Sequence, residues 1–171
     1  GKERAEVARA VGIGAVKYAD LSTERTKDYV FDWEKMLSFE GNTAPYLQYA
    51  YARISSIFRK WGGDRESLRT NFKSLMESEI STLRSEEILL SRRLVEFPSI
   101  LDDSVSTFSP HKLCKHLHSI ASSFASFYEN CGILKEDNEI ISHRRLALCE
   151  VTSRELKLGL EMMGINVPER M

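Results

Sequence analysis

The chain has 171 residues, a formal net charge of -1, 42% hydrophobic and 29% charged side chains. That length suits one helical domain with a short extension and is small for a complete two-domain enzyme. The composition is that of a folded globular chain. No window approaches the roughly 18 unbroken apolar residues of a membrane span, and a charge near zero offers nucleic acid no global attraction, so any RNA contact must come from a local patch.

The opening residues GKERAEVARA are charged from the start and lack an apolar h-region, so no signal peptide is expected and the chain reads as entered in mid-helix. Residues 3–19 are rich in alanine and other helix formers and predict a first helix, with Gly12 and Gly14 marking close packing or a local weakness. Residues 28–39 are expected to form a short helix from about Asp32 or an irregular connection. Asn42 or Thr43 can cap the next helix and Pro45 suits its first turn, where a missing N–H costs nothing; Gly62-Gly63 stops it after about Lys60.

From Asp64 onward Leu68, Phe72 and Leu75 recur at helical spacing, and Ser85 with Glu86 and Glu87 opens a helix expected to end before Pro98. Ser109-Pro110 opens another, in which Leu113, Leu117, Ile120, Phe124 and Phe127 form the clearest apolar stripe of the chain. The last helix carries Leu146, Cys149, Leu156, Leu160 and Met163 on one face and is closed by Gly164, leaving INVPERM behind it. No strand pattern competes with these signals, and the expected fold is an all-α helical bundle. Cys114, Cys131 and Cys149 have no CxxC spacing and read as reduced thiols in a cytoplasmic protein.

The stretch GNTAPYLQYAYARI, residues 41–54, puts three tyrosines on one helix. At about 100° per residue, Leu47, Tyr51, Ile54 and Phe58 make one apolar stripe, so Tyr51 is expected in the core. Tyr46, Tyr49 and Arg53, with Ser56 and Lys60, fall on a second face roughly 100° to 140° away. Aromatic rings interleaved with basic groups suit single-stranded RNA, because an unstacked base lies on a ring while a cation meets phosphate or a base edge. The same face would equally serve to pack tyrosine rings against a neighbouring helix.

Other constellations are weaker. Cys114 and His118 share a helix face at ligand spacing, near His111 and His116, but the sequence supplies no further convergent ligands for zinc, and no orienting acid for a nucleophilic pair. Asp102-Asp103 and Glu86-Glu87 point in different directions as adjacent residues and read as solvated or capping groups. Arg92-Arg93 and His143-Arg144-Arg145 are basic clusters. Lys60, Arg144 and Arg145 are candidate phosphate contacts, with a solvated helix end as the plain alternative.

The strings VGIGAVKYADLS, FDWEKMLSFEGNTAPYLQYAYARI and RRLALCEVTSRELKLGLEMMGINVPERM resemble the arginyl-tRNA synthetase family where its chain leaves the catalytic domain and runs through the anticodon-binding domain; the likeness covers residues 5–171. The resemblance implies a helical bundle of the class I aminoacyl-tRNA synthetase anticodon-binding, or DALR, type. It also implies a division into residues 1–40, a connecting and stem-contacting helical segment, and 41–171, the anticodon-binding domain. By position, the family's anticodon-contacting residues fall on Tyr46, Tyr49, Arg53, Tyr128 and Met171; a tryptophan that some relatives carry four residues after the tyrosine is replaced here by Gly132.

No HIGH-like or KMSKS-like string occurs, so the resemblance implies a C-terminal piece without catalytic residues, without a cofactor of its own and without bound metal, ATP with Mg serving the parent enzyme. The implied partners are the anticodon arm of tRNA(Arg) and the chain's own catalytic domain. The expected setting is cytoplasmic, without a membrane, and monomeric, with any dimer a consequence of uncovered apolar residues such as Val11, Val16, Phe31 and Trp33. The alternative from another class is a non-catalytic helical module that docks a protein.

Overall fold

The computed structural model describes residues 1–28 and 30–171; Tyr29 and the side chain of Lys2 lie outside the description, as does the Tyr29 part of the expectation for residues 28–39. Among the described residues the chain is all-α, as expected: α1 (Lys2–Ser22), α2 (Trp33–Met36), α3 (Ala44–Trp61), α4 (Arg65–Thr70), α5 (Phe72–Glu77), a 3-10 turn at Ile80–Thr82, α6 (Ser85–Ser106), α7 (Pro110–Asn130) and α8 (Glu139–Met162). No helix of the described residues is long and apolar enough to cross a membrane.

Three of the predicted boundaries are made by the residues that predicted them. The Thr43 hydroxyl accepts from the Tyr46 N–H at 3.3 Å, Pro45 occupies the first turn, and α3 ends at Gly62 in the left-handed region at φ 69°. At the end of α8, Gly164 at φ 68° lets its own N–H reach the Glu161 carbonyl and the Ile165 N–H reach that of Leu160, both at 2.9 Å. This turn satisfies carbonyls the helix would leave open and buries Ile165. Gly14 is a packing glycine, since a Cβ there would lie 3.0 Å from the Gln48 amide nitrogen, whereas nothing lies within 4 Å of one at Gly12.

Two boundaries differ. The run carrying Leu68, Phe72 and Leu75 is split at Asn71 into α4 and α5. Helix α6 does not end before Pro98 but continues to Ser106 with the proline inside it. A proline in a helix interior costs about 3 kcal/mol, from a lost hydrogen bond and a ring clash. Leu94 and Phe97 before it and Ser104 after it are buried, so α6 has packing on both sides of the break to offset that cost.

The core forms where α3, α6, α7 and α8 meet. The α7 stripe from Leu113 to Phe127 is buried along its whole length, and it meets Leu47 and Ile54 of α3, Leu90 and Leu94 of α6, and Leu146, Leu156 and Leu160 of α8. Each such side chain contributes roughly 1.5–3 kcal/mol relative to exposure. Helix α1 belongs to the same bundle: Tyr18 is buried and its hydroxyl donates to the Cys114 carbonyl at 2.8 Å. Phe31 and Trp33 are exposed and meet edge to face, Val16 is exposed, and Val11 is half-buried. Buried Glu150 of α8 holds α4 through Arg65 and Arg69, whose Nε atoms each donate to it at 2.7 Å.

Glu155 of α8 lies in a largely apolar groove with Phe97, Pro98 and Leu158, and its Oε2 meets no donor. Burial pushes its carboxyl up to about 8. The folded state therefore keeps a proton that the unfolded chain releases near pH 4.5, so stability falls as pH rises from there towards about 8 and levels off above. Glu155→Gln is expected to flatten that decline and raise the melting temperature at pH 8 by about 2–4 °C, the shift for roughly 1 kcal/mol in a domain of this size. Equal melting profiles of the two proteins between pH 5 and 8 would contradict it.

Candidate nucleic-acid interface

The tyrosine helix divides as its periodicity requires. Leu47, Ile54, Tyr51 and Phe58 are buried, while Tyr49 is 41% exposed. Arg53, one turn further on, folds back over Tyr49. Its Nη2 donates to the Tyr49 hydroxyl at 2.8 Å and its Cζ stands 4.7 Å from that ring's centroid. The same Cζ is 5.0 Å from the centroid of Tyr128, which α7 presents beside α3 with 40% of its surface exposed. The guanidinium thus joins two exposed rings from different helices, and a cation on a ring face is worth about 0.5–1 kcal/mol where water still reaches it.

Phe39 extends the row, meeting Tyr49 edge to face at 6.1 Å with half its surface exposed. Periodicity did not single it out, because it precedes the cap of α3 and belongs to no helical stripe. At the other end Phe124 supports Tyr128 from the core, with centroids 6.1 Å apart. Beside the row opens a cleft of about 500 Å³, with Arg53, Ile57 and Lys60 on the α3 wall and Tyr128, Leu134 and Lys135 on the other. Lys60 is exposed there, as a phosphate contact requires. Lys135 faces the same cleft; it follows the end of α7 in a segment without periodicity, so spacing could not place it.

Two of the expected residues stand apart from this row. Tyr46 is half-buried, its ring 5.5 Å from that of His118 and packed against the core, so it serves the helix interface more than the exposed row. Met171 is 42% exposed, and the segment before it runs along a different flank of α3, held by Gln48 Nε2 donating to the Asn166 carbonyl at 2.7 Å and Arg59 Nη1 donating to that of Glu169 at 3.1 Å. No hydrogen bond, ion pair or ring contact among the described residues joins Met171 to Arg53 or Tyr128.

Arg144 and Arg145 require correction: they are not phosphate contacts. Arg144 is fully buried, its Nε donates to Glu87 at 3.1 Å, and its Nη1 donates to the Ser78 and Glu79 carbonyls at 3.0 and 2.9 Å. Arg145 is buried too and its Nη1 donates to the Gly132 carbonyl at 2.7 Å and to Glu136 at 2.6 Å. Guanidinium groups so enclosed cannot reach an RNA backbone. Glu87 is a capping group, one of the two readings its sequence position allowed: it accepts from the Arg84 N–H at 3.2 Å, and it does so buried. In the other basic cluster Arg93 pairs with Glu96 at 3.0 Å and Arg92 is exposed.

No group of three or more metal-ligating side chains gathers among the described residues. Burial pushes the Cys114 thiol up to about 12, far from a thiolate nucleophile, and its sulfur lies against that of Met163 at 3.3 Å. Burial also lowers His118, whose ring packs on Tyr46.

Residues 47–171 match the family described as DALR anticodon binding domain, and residues 1–33 match that described as tRNA synthetases class I (R), catalytic domain. Over 172 residues the chain is 51% identical to an arginine–tRNA ligase of Cellvibrio japonicus, covering 100% of this chain and 28% of that one. Over 171 residues it is 48% identical to an arginine–tRNA ligase of Pseudoalteromonas translucida, covering 99% and 28%. The chain therefore spans about 28% of the length of these curated relatives. Its fold is similar to that of the arginyl-tRNA synthetase of Thermus thermophilus, with a TM-score of 0.85 and 31% identity over 97% of this chain and 27% of that one.

Proposed function

The chain belongs to the DALR anticodon-binding domain family, and on that premise we propose that it is the part of an arginine–tRNA ligase that binds the anticodon arm of tRNA(Arg). The observation that carries this reading is the guanidinium of Arg53 set between the exposed rings of Tyr49 and Tyr128, beside a cleft edged by Lys60 and Lys135. Splayed bases stack on such rings, a guanidinium adds a planar cation for a base edge or phosphate, and the lysines supply charge without reading sequence.

Within this proposal Tyr49, Arg53 and Tyr128 are the reading residues. Tyr46 borders them from its half-buried position, and Met171 approaches the RNA from the other flank of α3. Residues 1–40 form the connection to a catalytic domain, and 41–171 the anticodon-binding unit. In the parent enzyme ATP and Mg serve the activation of arginine and its transfer to the tRNA 3′ end in that catalytic domain, and no residue of this chain is assigned to that chemistry. The protein works as a monomer in the cytoplasm.

Titration with the anticodon stem-loop of tRNA(Arg), alongside a loop with altered anticodon bases, tests the reading. The cognate loop is expected to bind more tightly and with a steep dependence on salt, because phosphate neutralisation releases counterions. Tyr49→Ala is expected to weaken the cognate complex about fivefold or more, the lower end of one lost base stack. Equal affinity for both loops, or salt-independent binding, would favour a protein-docking module instead.

A further inference from the structure

We propose that Arg145, which is out of reach of any RNA, is a positioning residue that sets Lys135 against the RNA backbone. The inference rests on the RNA-binding reading above and names a charge in that site that sequence likeness did not supply. The two walls of the cleft are unlike. One is helix α3, regular from Ala44 to Trp61. The other is the end of α7, with Tyr128 and Glu129, followed by residues 131–135, an irregular segment between α7 and α8 that carries Lys135.

That segment is held by donors from beneath it. Arg145 Nη1 donates both to the Gly132 carbonyl at 2.7 Å and to Glu136 Oε2 at 2.6 Å, on either side of Lys135 in the sequence. Its Nη2 lies 3.6 Å from Glu87, which is fully buried. Two further anchors flank it: Arg84 Nη1 donates to the Asn130 carbonyl at 2.9 Å, and Ser142 Oγ to that of Ile133 at 2.7 Å. Both bonds leave the two N–H groups of the one Nη1 atom, so a single buried nitrogen fixes two points of the segment at once. The stretch between those points, Ile133 to Lys135, is thereby held against the cleft. Lys135 then lines the cleft with Arg53 and Lys60, three cations against the one carboxylate of Glu129, a net positive charge suited to the phosphate of an extended RNA strand.

A lysine at position 145 could serve both acceptors from one nitrogen, as Nη1 does, whereas a methionine removes both donors. Arg145→Met and Glu136→Ala are each expected to weaken binding of the tRNA(Arg) anticodon stem-loop about tenfold, the factor for the one charge-assisted hydrogen bond from Lys135 to phosphate. Each should also lower the slope of log affinity against log salt by about 1, as loss of a single phosphate contact does. Lys135→Ala is expected to match these effects alone and to add little in either background, a non-additivity that general loss of stability would not produce. Should Arg145→Met fail to fold, Glu136→Ala, at the rim of the segment, decides by itself. Wild-type protein that binds the loop while the variants keep its affinity and salt slope would overturn the positioning role alone. Wild-type protein that does not bind the loop would instead overturn the RNA-binding reading on which it stands.

Discussion

Arg144→Met is expected to lower the stability of the protein by about 3–5 kcal/mol, the range for removing one partner of a fully buried ion pair. Arg144 and Glu87 are both completely buried, so without the guanidinium the carboxylate keeps only Arg145 at 3.6 Å and the Arg84 N–H at 3.2 Å in a poor solvent. The loss extends to the backbone, because Arg144 Nη1 also serves the Ser78 and Glu79 carbonyls. Those carbonyls belong to the connection from α5 to α6, where Glu79 sits at φ 50°, in the left-handed region that a side chain enters at a cost. Urea unfolding of both proteins measures the difference, and a loss below about 1 kcal/mol would mean that water enters the site and solvates Glu87. The double variant Glu87→Leu with Arg144→Met is expected to fall closer to the wild type than Arg144→Met alone, since apolar replacement of both partners removes the poorly compensated charge. Arg145 retains Glu136 in that background.

Arg53→Ala is expected to weaken binding of the tRNA(Arg) anticodon stem-loop about 10- to 100-fold, the loss of one or two stacking-scale contacts. Arg53 is the element that ties the two exposed rings together, through the Tyr49 hydroxyl and through both ring faces. Its removal takes away a cation and frees Tyr49 and Tyr128 to rotate, so the site must be ordered again on binding. The melting temperature is expected to change little, because the side chain lies on the half-exposed face of α3 and not in the core. Arg53→Lys should recover part of the affinity through charge but not the planar contact with both rings. Retained affinity in Arg53→Ala at 150 mM salt would remove this face from the interface.

Legibility from the sequence followed the physics of each signal. Caps and terminators act within one turn, so Thr43, Gly62, Ser109 and Gly164 mark helix ends in the sequence and in the structure alike. Pro98 misled because its effect is local while its compensation is not: burial of Leu94, Phe97 and Ser104 against other helices carries α6 through it. Arg144 and Arg145 misled for a similar reason. A pair of arginines near a helix start reads as solvated, and only the arrival of Glu87 and Glu136 from distant positions allows both to be buried. Tyr46 and Tyr49 carry the same side chain three residues apart, and the difference between them lies in what stands opposite: His118 and the core for one, Phe39 and open solvent for the other.

By itself the sequence determined the all-α class, the order of the long helices and the separation of α3 into a core face and an aromatic, basic face. Those properties depend on periodicity and capping, which are written within a few residues. Its resemblance to arginyl-tRNA synthetases pointed to the family that residues 47–171 match. Only the tertiary structure decided which cations remain free to meet a partner. It placed Arg53 between Tyr49 and Tyr128, brought Lys135 to the cleft, and turned Arg144 and Arg145 inward. A charge is solvated or buried according to the partners that packing brings from distant parts of the chain, and local sequence does not contain that information.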